Sequence, residues 1–169
     1  MKSAVAIIVL LLFQLPVFGQ KNGIEITGWT NVNSFKCSNL KIAGTASVYS
    51  FTGNQLPNLI FKLDDFDCQN KMMTADLRKI LQSDRYPTLH IRFLEFKQSS
   101  AGKFDGLVEV KMMTISRRYA VQFTVQDKSL VGNKKLKFSD FKIVPPKKMG
   151  GMVYVRDELD LLFSIAIAN

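Results

Sequence analysis

The sequence predicts an all-β chain with one inserted α-helix, folded as an antiparallel barrel of about eight strands. Three observations predict it. Many short segments alternate apolar and polar residues with a period of two, the apolar residues of each take one face only, and a single segment has helical spacing instead. Eight one-faced strands close most naturally into a barrel, which also removes unpaired edges. Two stacked sheets are the competing arrangement.

The first nineteen residues stand apart. Met1 and Lys2 are followed by an unbroken apolar run from Ala4 to Leu12, further apolar residues to Phe18, and Gly19. A basic start, a short apolar stretch and a small-residue exit describe a secretory signal peptide, 1–19, cleaved after Gly19. The run falls short of the roughly 20 apolar residues that a membrane span needs. Residues 20–169 then form one domain, large enough to bury a core without help. No stretch after the leader reads as transmembrane, and the leader itself makes the expected location secreted or periplasmic.

From Gln20 the elements follow in order. Ile24, Ile26 and Val32 lie in short stretches broken by Gly, Asn and Ser; Ile42 to Thr52 is rich in Val, Tyr, Phe, Thr and Ser; Asn58 to Phe66 alternates loosely. Met72 to Ser83 places Met73, Leu77, Ile80 and Leu81 at helical spacing, with Asn70 as cap and Pro87 as stop. Thr88 to Phe96 sets Leu89, Ile91 and Phe93 against His90 and Arg92. Phe104 to Met112, Arg118 to Val125, Lys134 to Ile143 and Glu158 to Ile167 repeat the pattern.

Composition excludes several functions. One histidine and two cysteines cannot supply an ordinary four-ligand zinc site, and no metal or cofactor site is expected. Asp65, Asp67, Gln69, Asn70 and Asp76 faintly echo a calcium loop, but its required Gly and Glu positions hold Asn70 and Asp76. His90 has no nucleophile or carboxylate at a spacing that would make it a catalyst. Charge is uneven: residues 96–169 carry thirteen basic against seven acidic groups, including Arg117, Arg118, Lys134, Lys135, Lys137, Lys147 and Lys148. Such a face is either solvated or suited to anionic lipid, polysaccharide or a phosphate head. Nucleic acid is not expected, because no stacking-aromatic motif lies among the basic residues.

Cys37 and Cys68 are the natural disulfide of a secreted chain. The other reading is two free thiols with a redox role, which no Cys-x-x-Cys spacing supports. The stretch Pro145-Pro146-Lys147-Lys148-Met149-Gly150-Gly151 is the longest irregular piece and reads as a connection at one barrel end, or as a lid with two lysines at a mouth. The inner face carries Leu89, Ile91, Phe93, Phe104, Val108, Val110, Tyr119, Val121, Phe123, Phe138, Leu161, Phe163 and Ile165. An eight-stranded barrel is just wide enough to be filled by such side chains or to hold one small ligand, so this face alone supports a packed core as well as a pocket.

Five stretches, in order, resemble the YceI-like family of small secreted bacterial proteins: Gly28-Trp29-Thr30-Asn31-Val32-Asn33-Ser34-Phe35; the helix with its exit Asp84-Arg85-Tyr86-Pro87-Thr88-Leu89; Met113-Thr114-Ile115-Ser116; Lys137-Phe138-Ser139-Asp140-Phe141-Lys142-Ile143-Val144-Pro145-Pro146; and Val153-Tyr154-Val155-Arg156-Asp157-Glu158-Leu159. Asn33 stands where the family often has His. The resemblance implies a lipocalin-like barrel with an inserted helix. It also implies an isoprenoid or other lipid ligand inside the barrel, lined by the thirteen inner-face residues, with Lys147 and Lys148 near its head group. It assigns no catalytic residue. The expected function is therefore sequestration or carriage of an apolar ligand, without enzymatic chemistry. The alternative is a filled barrel whose basic outer face meets anionic lipid, polysaccharide or protein.

Overall fold

The computed structural model describes residues 22–53 and 55–168; the expected signal peptide, 1–19, lies outside the described residues. The strands are β1 (Gly23–Thr30), β2 (Ser34–Asn39), β3 (Asn58–Lys62), β4 (Thr88–Ser100), β5 (Lys103–Met112), β6 (Ile115–Gln126), β7 (Ser129–Lys137), β8 (Lys147–Lys148) and β9 (Val153–Ala166), and helix α1 (Lys71–Ile80) lies between β3 and β4. All strand pairings are antiparallel, in the order β2-β1-β9-β7-β6-β5-β4-β3, with two-residue β8 on the side of β9. Tight hairpins link β4 through β7. Between β6 and β7 the two loop residues, Asp127 and Lys128, both have positive φ, as the turn best matched to strand twist requires.

The sheet curls until its outermost strands meet. Ser38 bridges Asp67 through two backbone hydrogen bonds of 2.9 Å, Ile42 bridges Phe61, and the side-chain amide of Asn39 donates to the carbonyl of Lys62. The Cys37–Cys68 disulfide spans the same seam. The expected pairing of the two cysteines is therefore present, and it lies where the barrel lacks a regular ladder.

Three expected strands differ from the structure, one of them only in its end: the stretch from Asn58 to Phe66 keeps its ladder only to Lys62 and passes into a 3-10 turn over Leu63–Asp65. Residues 42–52 form no strand beyond single bridges at Ile42 and Tyr49, because the segment leaves the seam and crosses one end of the barrel. Tyr49 exchanges backbone hydrogen bonds with Ala166 and Ala168 there, and Phe51 turns inward. The strand expected from Lys134 to Ile143 instead runs from Ser129 to Lys137 and gives way to a 3-10 turn over Phe138–Phe141. The Asp140 carboxylate accepts from the Lys137 amide and the Tyr119 hydroxyl, which holds the turn in place of a continued ladder.

Inside, aromatic rings fill the waist. Phe93, Phe123 and Phe163 form a chain with centroid spacings of 5.4 and 5.8 Å, and Phe51, Phe96 and Phe104 continue it towards the crossed end. Phe96 is inward because the β4–β5 register shifts between Phe93 and Glu95. That bulge inserts one extra residue and reverses the alternation. Helix α1 caps the other end. The Asn70 side chain accepts from the Met73 amide as its N-cap, and Leu77 and Leu81 are buried.

Candidate functional site

The helix-capped end holds an apolar cavity of about 330 Å³. Three parts of the chain wall it. Met73, Leu77 and Ile80 come from α1; Val32, Phe35 and Cys37 come from the β1–β2 hairpin; Phe138, Pro146, Val153, Tyr154 and Val155 come from the insertion between β7 and β9 and the start of β9. Thr30, Asn33, Asp76 and Lys148 are the polar members of the lining. Gly28 makes one wall possible: a β-carbon there would lie 2.3 Å from the ring of Phe35, its cross-strand partner.

Asn31 clamps two walls together. Its side chain donates to the carbonyl of Met152 at 2.9 Å and accepts from the amide of Tyr154 at 3.1 Å, while its own amide donates to the Tyr154 carbonyl. The Asn33 side-chain oxygen accepts from the Thr30 hydroxyl at 2.7 Å, so this rim polar group is already engaged. Across the mouth, Lys148 forms a direct ion pair with Asp76 of α1. Both partners are substantially exposed, so the pair ties the insertion to the helix weakly, and the two charges offset each other.

The expected residues fall into three groups. Leu89, Ile91, Phe93, Val108, Val110, Val121, Phe123, Leu161, Phe163 and Ile165 are buried against one another in the barrel core, and Tyr119 packs against that core from a half-buried position. Phe138 lines the cavity at the helix-capped end. Phe104 borders a second depression at the opposite end, of about 450 Å³, whose wall includes Ser50, Thr52 and Gln98 and whose floor includes the stacked Phe96 and Phe104 rings. Of the two lysines, Lys148 lines the apolar cavity. Lys147 pairs with Tyr154 in the β8–β9 ladder and is exposed beside it.

Sequence reasoning missed most of the cavity, since it sought a channel along the strands. Met73, Leu77 and Ile80 were legible only as the packing face of a helix. One signal was available: three of the five stretches carrying the family resemblance, around Gly28–Phe35, Lys137–Pro146 and Val153–Leu159, converge on this cavity.

His90 is half-buried on the outer face of β4. Burial, and secondarily the Lys111 charge, hold its imidazole below the ordinary histidine value, and its ring nitrogen meets the Thr88 hydroxyl at 2.9 Å. Among the described residues no group of three or more His, Cys, Asp or Glu side chains is placed to hold a metal ion. The Asp67 carboxylate accepts from the amide of Gln69, and Asn70 caps α1. Among the described residues no helix is long and apolar enough to cross a membrane.

No protein-family model and no curated protein sequence matches the chain. Solved structures do match it. The crystal structure of Burkholderia cenocepacia BcnA aligns with a TM-score of 0.65 at 14% identity, over 85% of this chain and 94% of that one. A Campylobacter jejuni YCEI protein aligns with a TM-score of 0.55 at 12% identity, over 73% and 92%. A polyisoprenoid binding domain from Saccharophagus degradans, implicated in plant cell wall breakdown, aligns at 0.53 and 8% identity, over 85% and 93%. The protein thus has the YceI-like fold: an antiparallel barrel of lipocalin type with one inserted helix.

Proposed function

We propose that this protein is a secreted binding protein that sequesters or carries an isoprenoid or other lipid ligand in the cavity beneath α1. The observation that carries this reading is the apolar cavity itself, walled by a helix and two hairpin regions and offering few polar groups. Sites of this kind bind through burial of apolar surface, with a few polar groups setting orientation. The polyisoprenoid-binding domain with the same fold supports the ligand class, and the N-terminal leader supports export. Binding rather than catalysis fits a lining whose polar members are engaged with one another.

Size narrows the ligand. A cavity of ~150 Å³ takes one benzene, so about 330 Å³ takes roughly twelve carbon atoms, or two to three isoprene units. The packed Phe93, Phe123 and Phe163 rings block a channel through the waist. That filled waist also favours the second reading, a non-enzymatic envelope module acting through its outer surface.

Native mass spectrometry with a fifteen-carbon prenyl alcohol as probe separates the two readings. One adduct per chain, lost in Leu77→Trp with the fold retained, is the expected result. An unchanged apo mass, or an adduct that survives Leu77→Trp, would overturn the cavity assignment.

A further inference from the structure

We propose that the helix-capped end is a docking surface for an anionic lipid bilayer. The proposal rests on the ligand-cavity reading for its purpose, but its binding rests on exposed side chains, of which only Val32 and Tyr154 also line the cavity. Val32, Met72, Val144, Met149, Met152 and Tyr154 are exposed large apolar side chains, from 45% for Tyr154 to 84% for Val144. All six belong to this end. Val32 and Tyr154 line the cavity, and Met72 adjoins its lining residue Met73. Val144, Met149 and Met152 lie on the insertion that forms its outer wall. They come from three separate parts of the chain, the same three that wall the cavity.

Charge identifies the partner. Lys71, Lys142 and Lys147 are exposed on the same parts of the chain. Of the carboxylates nearby, Asp76 is neutralised by Lys148, while Asp140 and Asp157 hydrogen-bond to the neutral Tyr119 and Ser139 and keep their charge, so the three lysines leave a small positive excess at this end. Apolar side chains that enter the headgroup boundary, interleaved with free cations, fit a negatively charged interface. A protein partner would call for a continuous groove or a flat apolar patch. Docked in this way, the mouth of the cavity faces the membrane, so an apolar ligand enters or leaves without crossing water.

Vesicle flotation tests the proposal with the intact mature chain. The probes are vesicles of phosphatidylcholine, alone or with about one quarter phosphatidylglycerol. Wild type should float with the anionic vesicles and lose most binding in high salt. The double variant Met149→Ser/Met152→Ser should bind about tenfold more weakly. Lys142→Gln/Lys147→Gln should weaken binding to anionic vesicles alone. Val48→Ser/Val125→Ser, at the opposite end, should leave it unchanged. Failure of wild type to float, or equal loss from both ends, would overturn the proposal. So would a dimer that Met149→Ser/Met152→Ser dissolves, since the rim would then be covered by a second copy. The two assays on wild type separate the readings: flotation without probe uptake defeats the cavity alone, and probe uptake without flotation defeats the docking surface alone.

Discussion

The ring of Phe123 occupies the space that a side chain on Gly132 would need. The two residues face each other across β6 and β7, and a β-carbon on Gly132 would lie 2.4 Å from Cδ1 of Phe123. Gly106 makes the same allowance on the other side, at 2.9 Å from Cε2. The waist is therefore closed by a large ring accommodated between two glycines. Gly132→Ala should destabilise the fold by about 1–3 kcal/mol through overpacking, and Phe123→Leu in that background should recover part of the loss. Urea unfolding midpoints of the four proteins give the coupling. An unchanged midpoint for Gly132→Ala would show that the ring is free to move aside. Phe123→Trp has no room to grow and should lower stability too.

The Cys37–Cys68 bond joins residues 31 apart across the barrel seam. The chain-entropy account gives such a crosslink about 3–4 kcal/mol. The folded protein should resist thiol reagents until reduced, and reduction should lower its unfolding midpoint correspondingly. Because Cys37 also lines the cavity, reduction should weaken ligand uptake at temperatures where the protein stays folded. Prompt labelling of the untreated protein would contradict this account.

Tyr119 sets an alkaline limit. Burial first, and then the hydrogen bond and charge of Asp140, raise its hydroxyl well above the ordinary value near 10, with Arg117 opposing. The fold favours the neutral phenol, so the stability it contributes is complete below about pH 10 and is lost as pH rises through the folded-state value. Tyr119→Phe should cost about 1 kcal/mol at neutral pH and flatten the alkaline decline in stability. Equal alkaline slopes in the two proteins would remove Tyr119 from this role.

Ligand length should show a limit. Each buried methylene contributes ~0.8 kcal/mol, so affinity should climb through ten-carbon prenyl chains. It should level off between roughly twelve and fifteen carbons, where the cavity of about 330 Å³ is full. Displacement of a bound apolar dye by a series of prenyl alcohols measures the curve. A continued gain through twenty carbons would mean that the phenylalanine chain opens.

The barrel was legible because alternation reports a one-sided strand directly: Leu89, Ile91, Val108, Val110, Leu161 and Phe163 are all buried. Three features were not. The bulge after Phe93 turns Phe96 inward, and simple parity cannot anticipate an inserted residue. The 42–52 segment has strand-like composition, but composition says nothing about whether a partner edge is free. The cavity depends on where α1 and the β7–β9 insertion sit over the barrel end, a tertiary relation that no local period encodes. Asn31, the clamp between two cavity walls, reads in the sequence only as part of a turn.

The most direct test follows methyl resonances during titration with a ten-carbon prenyl alcohol. Shifts are expected at Met73, Leu77 and Ile80, on the helix face lining the cavity, with little change at Ile91, Val108 and Leu161 in the filled waist. Shifts concentrated at Ile91, Val108 and Leu161, or none at Leu77 and Ile80 while the ligand binds, would contradict the cavity assignment.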